Sequence, residues 1–365
     1  MRIAMIGSRG IPAHSGGVER VVEELTRELA SRGHEVLVYC RGHYVRGLPK
    51  PDIARQIVTP GLGGRHFDTI THTATAMLDV LGRGVDVVHI HSPGPAILSW
   101  IPAARHLPVV LTVHAPDWQR DKWSPWARAM LRLGLACGMK LAAEVTAVGW
   151  PLTAELSGRF GRPVHYVPNG VRCRDALAPK EILRWGLGPD GYVLYVGRIE
   201  PEKRLDLLLA AWSRTASGRP LVVVGDAQEN AYARSCRRQA GENVLLVGPQ
   251  HGRALEELYS NAALVVQPSV LEGMSLVLLE AASFGRCVLA SDIAANVETL
   301  GPSAVYFPVD DVSELAGQIR RCLEREELRL SVGQQAKDWV RTRHEWRTAA
   351  DRMERIYVQA AKRVR

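Results

Sequence analysis

The stretch RIAMIGSRGIPAHSGGVERVVEELTRELASRG, residues 2–33, decides how the chain is read. It opens with a short apolar run of the kind found in strands buried on both faces. A glycine-containing loop follows. Beyond it, Val18, Val21, Val22, Leu25 and Leu29 recur at helical spacing, and Gly33 ends the pattern. The unit is therefore strand, glycine turn, helix. HEVLVYC, at 34–40, supplies the next strand.

The same rhythm continues outward. VDVVHIH (85–91), PVVLTVH (108–114) and EVTAVG (144–149) are further strand runs. It restarts with YVLYVGR (192–198), followed by the helical RLDLLLAAWSRT. Then come PLVVVGD, NVLLVG, AALVVQPS and CVLASD. Strands alternating with helices specify parallel sheets covered on both faces. Residues 163–190 between the two series are rich in Pro, Gly and charge and read as a linker. The fold class expected is α/β, with two doubly wound, Rossmann-like domains facing each other across a cleft. Ligands of such sheets bind beyond the carboxyl ends of the strands. The last residues, HEWRTAADRMERIYVQAAKRVR, form an amphipathic helix.

Bulk properties narrow the classes. A chain of 365 residues accommodates two domains. No apolar run reaches the roughly 18–20 residues of a membrane span, and the N-terminus lacks signal-peptide features, so a cytoplasmic location is expected. Six scattered cysteines without a CxxC pair read as reduced. The net charge of +8 is spread over 46 basic and 38 acidic residues without a basic run, so nucleic acid is not the expected partner.

Several residues stand out as chemistry-bearing. Gly16 and Gly17 directly precede the first helix. They serve either as a cradle for phosphate at a helix N-terminus or as a loop that needs positive φ angles. His89 and His91 alternate on one face of a strand. A metal would need a third ligand, which nothing nearby supplies, so positioning roles are expected. His114 ends its strand facing the expected cleft. Arg198 and Lys203 follow another strand and suit a diphosphate, although Glu200, Glu202 and Arg204 beside them equally suit a solvated cluster.

In QPSVLEGMSLVLLEAASFG (267–285), Glu272 precedes a helix and Glu280 lies inside it. Eight helical steps of about 100° bring the two within about 80° of one face. Between them, Gly273, Met274, Ser275 and Leu276 form a helix N-terminus that favours an anion. One rival reading is an NADP-dependent oxidoreductase. Gly7 and Gly10 partly match a dinucleotide loop, and Arg41 after the second strand could meet a 2′-phosphate, but the middle glycine is missing.

At this point the chain resembles the family 4 retaining glycosyltransferases of GT-B fold. The resemblance rests on the Gly16-Gly17 loop, VDVVHIHSP, LTVHAPD, AEVTAVG, VPNGV, YVGRIEPEKRLD, VVVGD, VLLVG and PSVLEGMSLVLLEAASFG. The last carries the E-x7-E signature. GSRGIPAHSGGVE is similar to a branch of polysaccharide-building rhamnosyl- and hexosyltransferases.

The resemblance implies domains at 1–170, joined by the helix 346–365, and at 171–345. It implies transfer of a hexose-type sugar from a nucleotide diphosphate to a glycan, lipid-linked or small-molecule acceptor. UDP is favoured and GDP is the alternative, with no cofactor and no metal. It further implies that Gly16 and Gly17 border the diphosphate and acceptor, and that Arg198 and Lys203 neutralise the leaving group. Glu280 would hold the ribose, Glu272 and His114 the sugar, and Gly248 and Pro249 the base. Two departures bear on donor choice: Arg172 follows VPNGV where the family often has Asp, and Met274-Ser275 replaces a more usual aromatic and glycine.

DWQRDKWSPWARAMLRLGLACGMK adds Trp118, Trp123 and Trp126 with Arg128 and Arg132. Tryptophans among basic residues suit a membrane interface. The nearly continuous apolar character suits a core helix instead. Ser124 and Pro125 read as the N-cap and first residue of that helix.

Overall fold

The computed structural model describes residues 1–62, 67–226 and 230–364. It contains two compact units, Met1–Gly170 with Trp346–Arg365, and Val171–Glu345.

Among the described residues, the first unit is built on a seven-stranded sheet. Its strands are β1 (Arg2–Ile6), β2 (Glu35–Arg41), β3 (Arg55–Thr59), β4 (Val87–His91), β5 (Val109–Val113), β6 (Glu144–Ala147) and β7 (His165–Tyr166). They lie in the order β3-β2-β1-β4-β5-β6-β7, and every pairing is parallel. β4 and β5 are buried along their full lengths, as strands covered on both faces are, with His89, His91 and Thr112 among the apolar residues. The second unit carries β8 (Val193–Val196), β9 (Leu221–Val224), β10 (Val244–Gly248), β11 (Leu264–Gln267), β12 (Val288–Ser291) and β13 (Val305–Phe307). Their order is β10-β9-β8-β11-β12-β13, again all parallel.

Both sheets are doubly wound. In each, the order reverses beside the first strand, between β1 and β4 in one unit and between β8 and β11 in the other. Loops diverge at such a switch point and leave a crevice at the strand ends.

The last helix, Trp346–Val364, belongs to the first unit. Its apolar face buries Ala350, Met353, Ile356 and Tyr357. Arg32 pairs with Asp351 at 2.6 Å and Glu354 at 3.1 Å. Farther along, Arg363 reaches the buried Glu144 at 3.0 Å, and His165 meets the same carboxylate at 2.7 Å. Such a charge needs partners inside the protein.

Three strands go beyond those the sequence pattern marks: β3, β7 and β13. The expected linker at 163–190 is also partly ordered. It contains β7 and a 3₁₀ turn at Glu181–Trp185. The helix expected from Met274 begins at Leu276. Among the described residues, no helix is long and apolar enough to cross a membrane.

Candidate active site

In the first unit, the loop after β1 folds around an ion pair. Arg9 donates from its backbone N and from Nε to Glu19 Oε1, at 3.0 and 3.1 Å, and from its guanidinium to Ser15 O at 2.7 Å. Burial alone would raise the Glu19 carboxyl. The hydrogen bonds and charge of Arg9 outweigh it and hold the group below its usual range. Gly16 has φ 94°, and a Cβ there would collide with Glu19 and Arg9. The backbone therefore requires glycine at 16. Gly17 is the first residue of the helix Gly17–Ser31.

His89, His91 and His114 form a buried group at the neighbouring strands β4 and β5. His91 Nδ1 lies 3.0 Å from His114 Nε2, and His91 Nε2 lies 3.4 Å from Met5 Sδ. His89 bonds Tyr357 Oη through Nδ1 at 2.7 Å and Thr112 Oγ1 through Nε2 at 2.6 Å. Burial lowers all three imidazoles: His89 to about 3, His114 to about 4 against a small opposing effect of Glu19, and His91 well below the ordinary value. All are neutral at pH 7. Together they line a cavity of about 20 Å³ with Thr146, Asn169 and Met353. That is room for about one water.

In the second unit, Lys203 and Glu272 come together at the β8/β11 switch point. Lys203 Nζ donates to Glu272 Oε1 at 2.5 Å, with side chains 14% and 9% exposed. Gln267, ending β11, donates to the same oxygen at 3.1 Å and to Ser269 Oγ at 2.8 Å. Val270 N donates to Glu202 O at 3.0 Å and ties the loop after β11 to the loop after β8. Arg198 is exposed and pairs with Glu200 at 3.1 Å. Each basic residue thus has its own carboxylate.

Glu280 lies beside Tyr259 of the preceding helix. Burial, and then the charge of Glu280, keeps the Tyr259 phenol well above its usual range. Gly273, Met274 and Ser275 are buried, whereas Leu276 is half-buried. Gly248 has φ 68° at a register shift in β10, and Pro249 after it is exposed. A Cβ on Gly225 would strike the Gly197 carbonyl, so the ends of β8 and β9 approach closely.

Two expectations are corrected. Trp118 is 2% exposed and belongs to the core of the first unit, so it cannot touch a membrane. The helix Pro125–Leu141 is not buried all round. It buries Gly134, Leu135, Gly138 and Met139, while Trp126 and Leu133 are 71% and 50% exposed. Trp123 is half-buried and Arg128 pairs loosely with Asp121 at 3.8 Å, whereas Arg132 is exposed. Ser124 does cap the helix, accepting from Ala127 N at 3.2 Å. Sequence reasoning missed Arg9, Gln267 and Tyr259. Only Gln267 left a signal, as a polar residue closing the apolar run LVVQ.

The rival dinucleotide reading loses its cation. Arg41 is bonded to Asp68 at 2.8 Å and Thr69 at 3.1 Å, so it is not disposed to meet a 2′-phosphate. Among the described residues, no group of three His, Cys, Asp or Glu is arranged to hold a metal ion.

Two doubly wound parallel sheets, each with polar side chains gathered at its switch point, define a two-domain nucleotide-binding α/β protein. Residues 15–175 match the model for Glycosyltransferase Family 4, and residues 182–339 that for Glycosyl transferases group 1. The chain is 27% identical to a phosphatidyl-myo-inositol mannosyltransferase of Mycolicibacterium smegmatis, over 98% of this chain and 93% of that protein. It is 26% identical to a glycogen synthase of Mycobacterium tuberculosis, over 100% and 95%. Among solved structures it is similar to sucrose-phosphate synthase from Thermosynechococcus elongatus, with TM-score 0.82, 22% identity and 98% of each chain covered. It is also similar to Anabaena HepE in complex with UDP and glucose, with TM-score 0.82, 18% identity and coverage of 98% and 99%. The chain belongs to the family 4 glycosyltransferases of GT-B fold, enzymes that use nucleotide-sugar donors.

Proposed function

We propose that the enzyme is a retaining hexosyltransferase that takes its sugar from a UDP-sugar. The acceptor is a glycan or lipid-linked molecule in surface polysaccharide or glycoconjugate synthesis, on the cytoplasmic side. The observation that carries the reading is the Lys203–Glu272 pair at the β8/β11 switch point. The Lys203 ammonium has three donors and uses one on Glu272. The remaining two suit a departing diphosphate, with the Arg198 fork as its partner, so that protein cations take the charge and no metal is required. Glu272 receives sugar hydroxyls beside Gly273, Met274, Ser275 and Leu276. Glu280 takes the ribose, the backbone at Gly248 and Pro249 the base, and Gly16, Gly17 and His114 the reacting end.

In the step itself, the bond from the anomeric carbon to phosphate breaks. A bond to the acceptor oxygen forms on the same face. The acceptor proton passes to the departing phosphate oxygen. A lipid-linked acceptor is favoured because the helix Pro125–Leu141 exposes Trp126 and Leu133 beside the exposed Arg132 and Lys140.

A turnover screen across UDP-, GDP- and dTDP-sugars, with the product's anomeric configuration read by NMR, tests the proposal. Consumption of a UDP-sugar with retention is expected. Inversion, or thermal stabilisation by NADPH alone, overturns it. Sedimentation with anionic vesicles at low salt tests the membrane contact. Binding that Trp126→Ala weakens is expected, and none at all removes this part of the proposal.

A further inference from the structure

Every buried histidine nitrogen needs a partner, and a neutral imidazole has one donor and one acceptor. His91 and His114 face each other through Nδ1 and Nε2 at 3.0 Å, so one proton lies between them. Two arrangements satisfy that bond. In the first, His114 donates from Nε2 and His91 accepts at Nδ1. The single proton of His91 is then on Nε2, 3.4 Å from the Met5 thioether, a weak acceptor. In the second, His91 donates from Nδ1, and its Nε2 is bare. That bare nitrogen is fully buried against a sulfur that has no proton to give.

Met5 therefore decides between the two. We infer that Met5 and His91 are positioning residues that hold His114 in one tautomer, with Nε2 protonated and Nδ1 offered as a hydrogen-bond acceptor. His114 can then receive a hydroxyl of the substrate and cannot donate to its ring or phosphate oxygens. His89 plays no part in this choice, since Tyr357 and Thr112 engage both its nitrogens. Burial keeps His91 and His114 uncharged at neutral pH, so the choice persists there. The second half of the inference, that a substrate hydroxyl meets Nδ1, rests on the placement of His114 proposed above.

The test is ¹⁵N NMR of histidine-labelled full-length protein at pH 7, with His91→Gln and His114→Gln used for assignment. The expected spectrum shows both His91 and His114 protonated at Nε2 and bare at Nδ1. A His114 protonated at Nδ1, or carrying two protons, overturns the inference. Met5→Leu conserves volume but removes the acceptor. It should convert the single His114 form into a mixture of tautomers, and an unchanged spectrum would refute the role of Met5. The wild-type spectrum is decisive even where the Met5→Leu variant fails to fold. Adding UDP-sugar separates the two claims. A shift confined to His114 Nδ1 supports both. The stated tautomers with no response to any nucleotide sugar support the Met5–His91 relay and overturn the placement of His114 at the site.

Discussion

Replacing Lys203 with methionine keeps most of the side-chain volume and removes one charge from the pair with Glu272. The two side chains are only 14% and 9% exposed. Breaking a pair buried to that degree leaves a carboxylate without its cation, which costs roughly 3–5 kcal/mol. Gln267 still donates to Glu272 at 3.1 Å, so the lower end, about 3 kcal/mol, is expected. For a domain the size of the second unit this lowers Tm by roughly 6–12 °C. Urea unfolding followed by tryptophan fluorescence reads the change. Lys203→Met/Glu272→Leu, which removes both charges, should recover most of the loss, so the cycle should show strong coupling. If Lys203→Met falls within about 1 kcal/mol of wild type, the pair behaves like an exposed one. The switch point would then not hold a desolvated charge cluster.

Glu280→Ala should weaken binding of UDP at least tenfold by calorimetry while leaving thermal unfolding nearly unchanged. Unchanged affinity would take Glu280 out of the site. Stability should fall as pH drops below about 6.5, the ordinary histidine value. His89, His91 and His114 are held uncharged in the fold but take up protons when unfolded, so the unfolded state binds more protons in that window. The slope should approach about 4 kcal/mol per pH unit, three times the roughly 1.4 kcal/mol of one proton. A urea midpoint that does not move between pH 7 and 5 would contradict it. Tyr357→Phe leaves His89 Nδ1 without its partner at 2.7 Å and should cost about 1–3 kcal/mol in urea unfolding.

The interior of both sheets was legible because strands buried on both faces leave mostly apolar runs, as β9, reading LVVV, and β5, reading VVLTV, do. Edge strands leave weaker marks. β3, reading RQIVT, buries only Ile57 and Thr59, and β7 is two half-buried residues long. Spacing marked the loop at Gly16, the strand end at His114 and the turn at Glu272. It could not pair Lys203 with Glu272, because 69 residues separate them and only the adjacency of β8 and β11 brings them together. Nor could it place Tyr259 beside Glu280, since helical phase says nothing of a neighbouring helix. Spacing put His89 and His91 on one face of a strand and left His114 apart, and their bonds to Met5 and Tyr357 depend on register and on a helix far along the chain.

The helix Trp346–Val364 completes a unit whose other residues end at Gly170. On the ribosome, all 175 residues of Val171–Glu345 must be made before that helix emerges. At roughly 5–20 residues per second this takes roughly 9–35 s. During that interval β4, β5 and β6 lack the helix that packs on them, and His89 lacks the phenol that bonds it in the finished protein. The nascent chain thus carries an apolar, unpartnered surface for far longer than a domain of this size needs to collapse. Chaperone demand should follow that delay, and a fusion or truncation at the C-terminus should act first on the N-terminal unit.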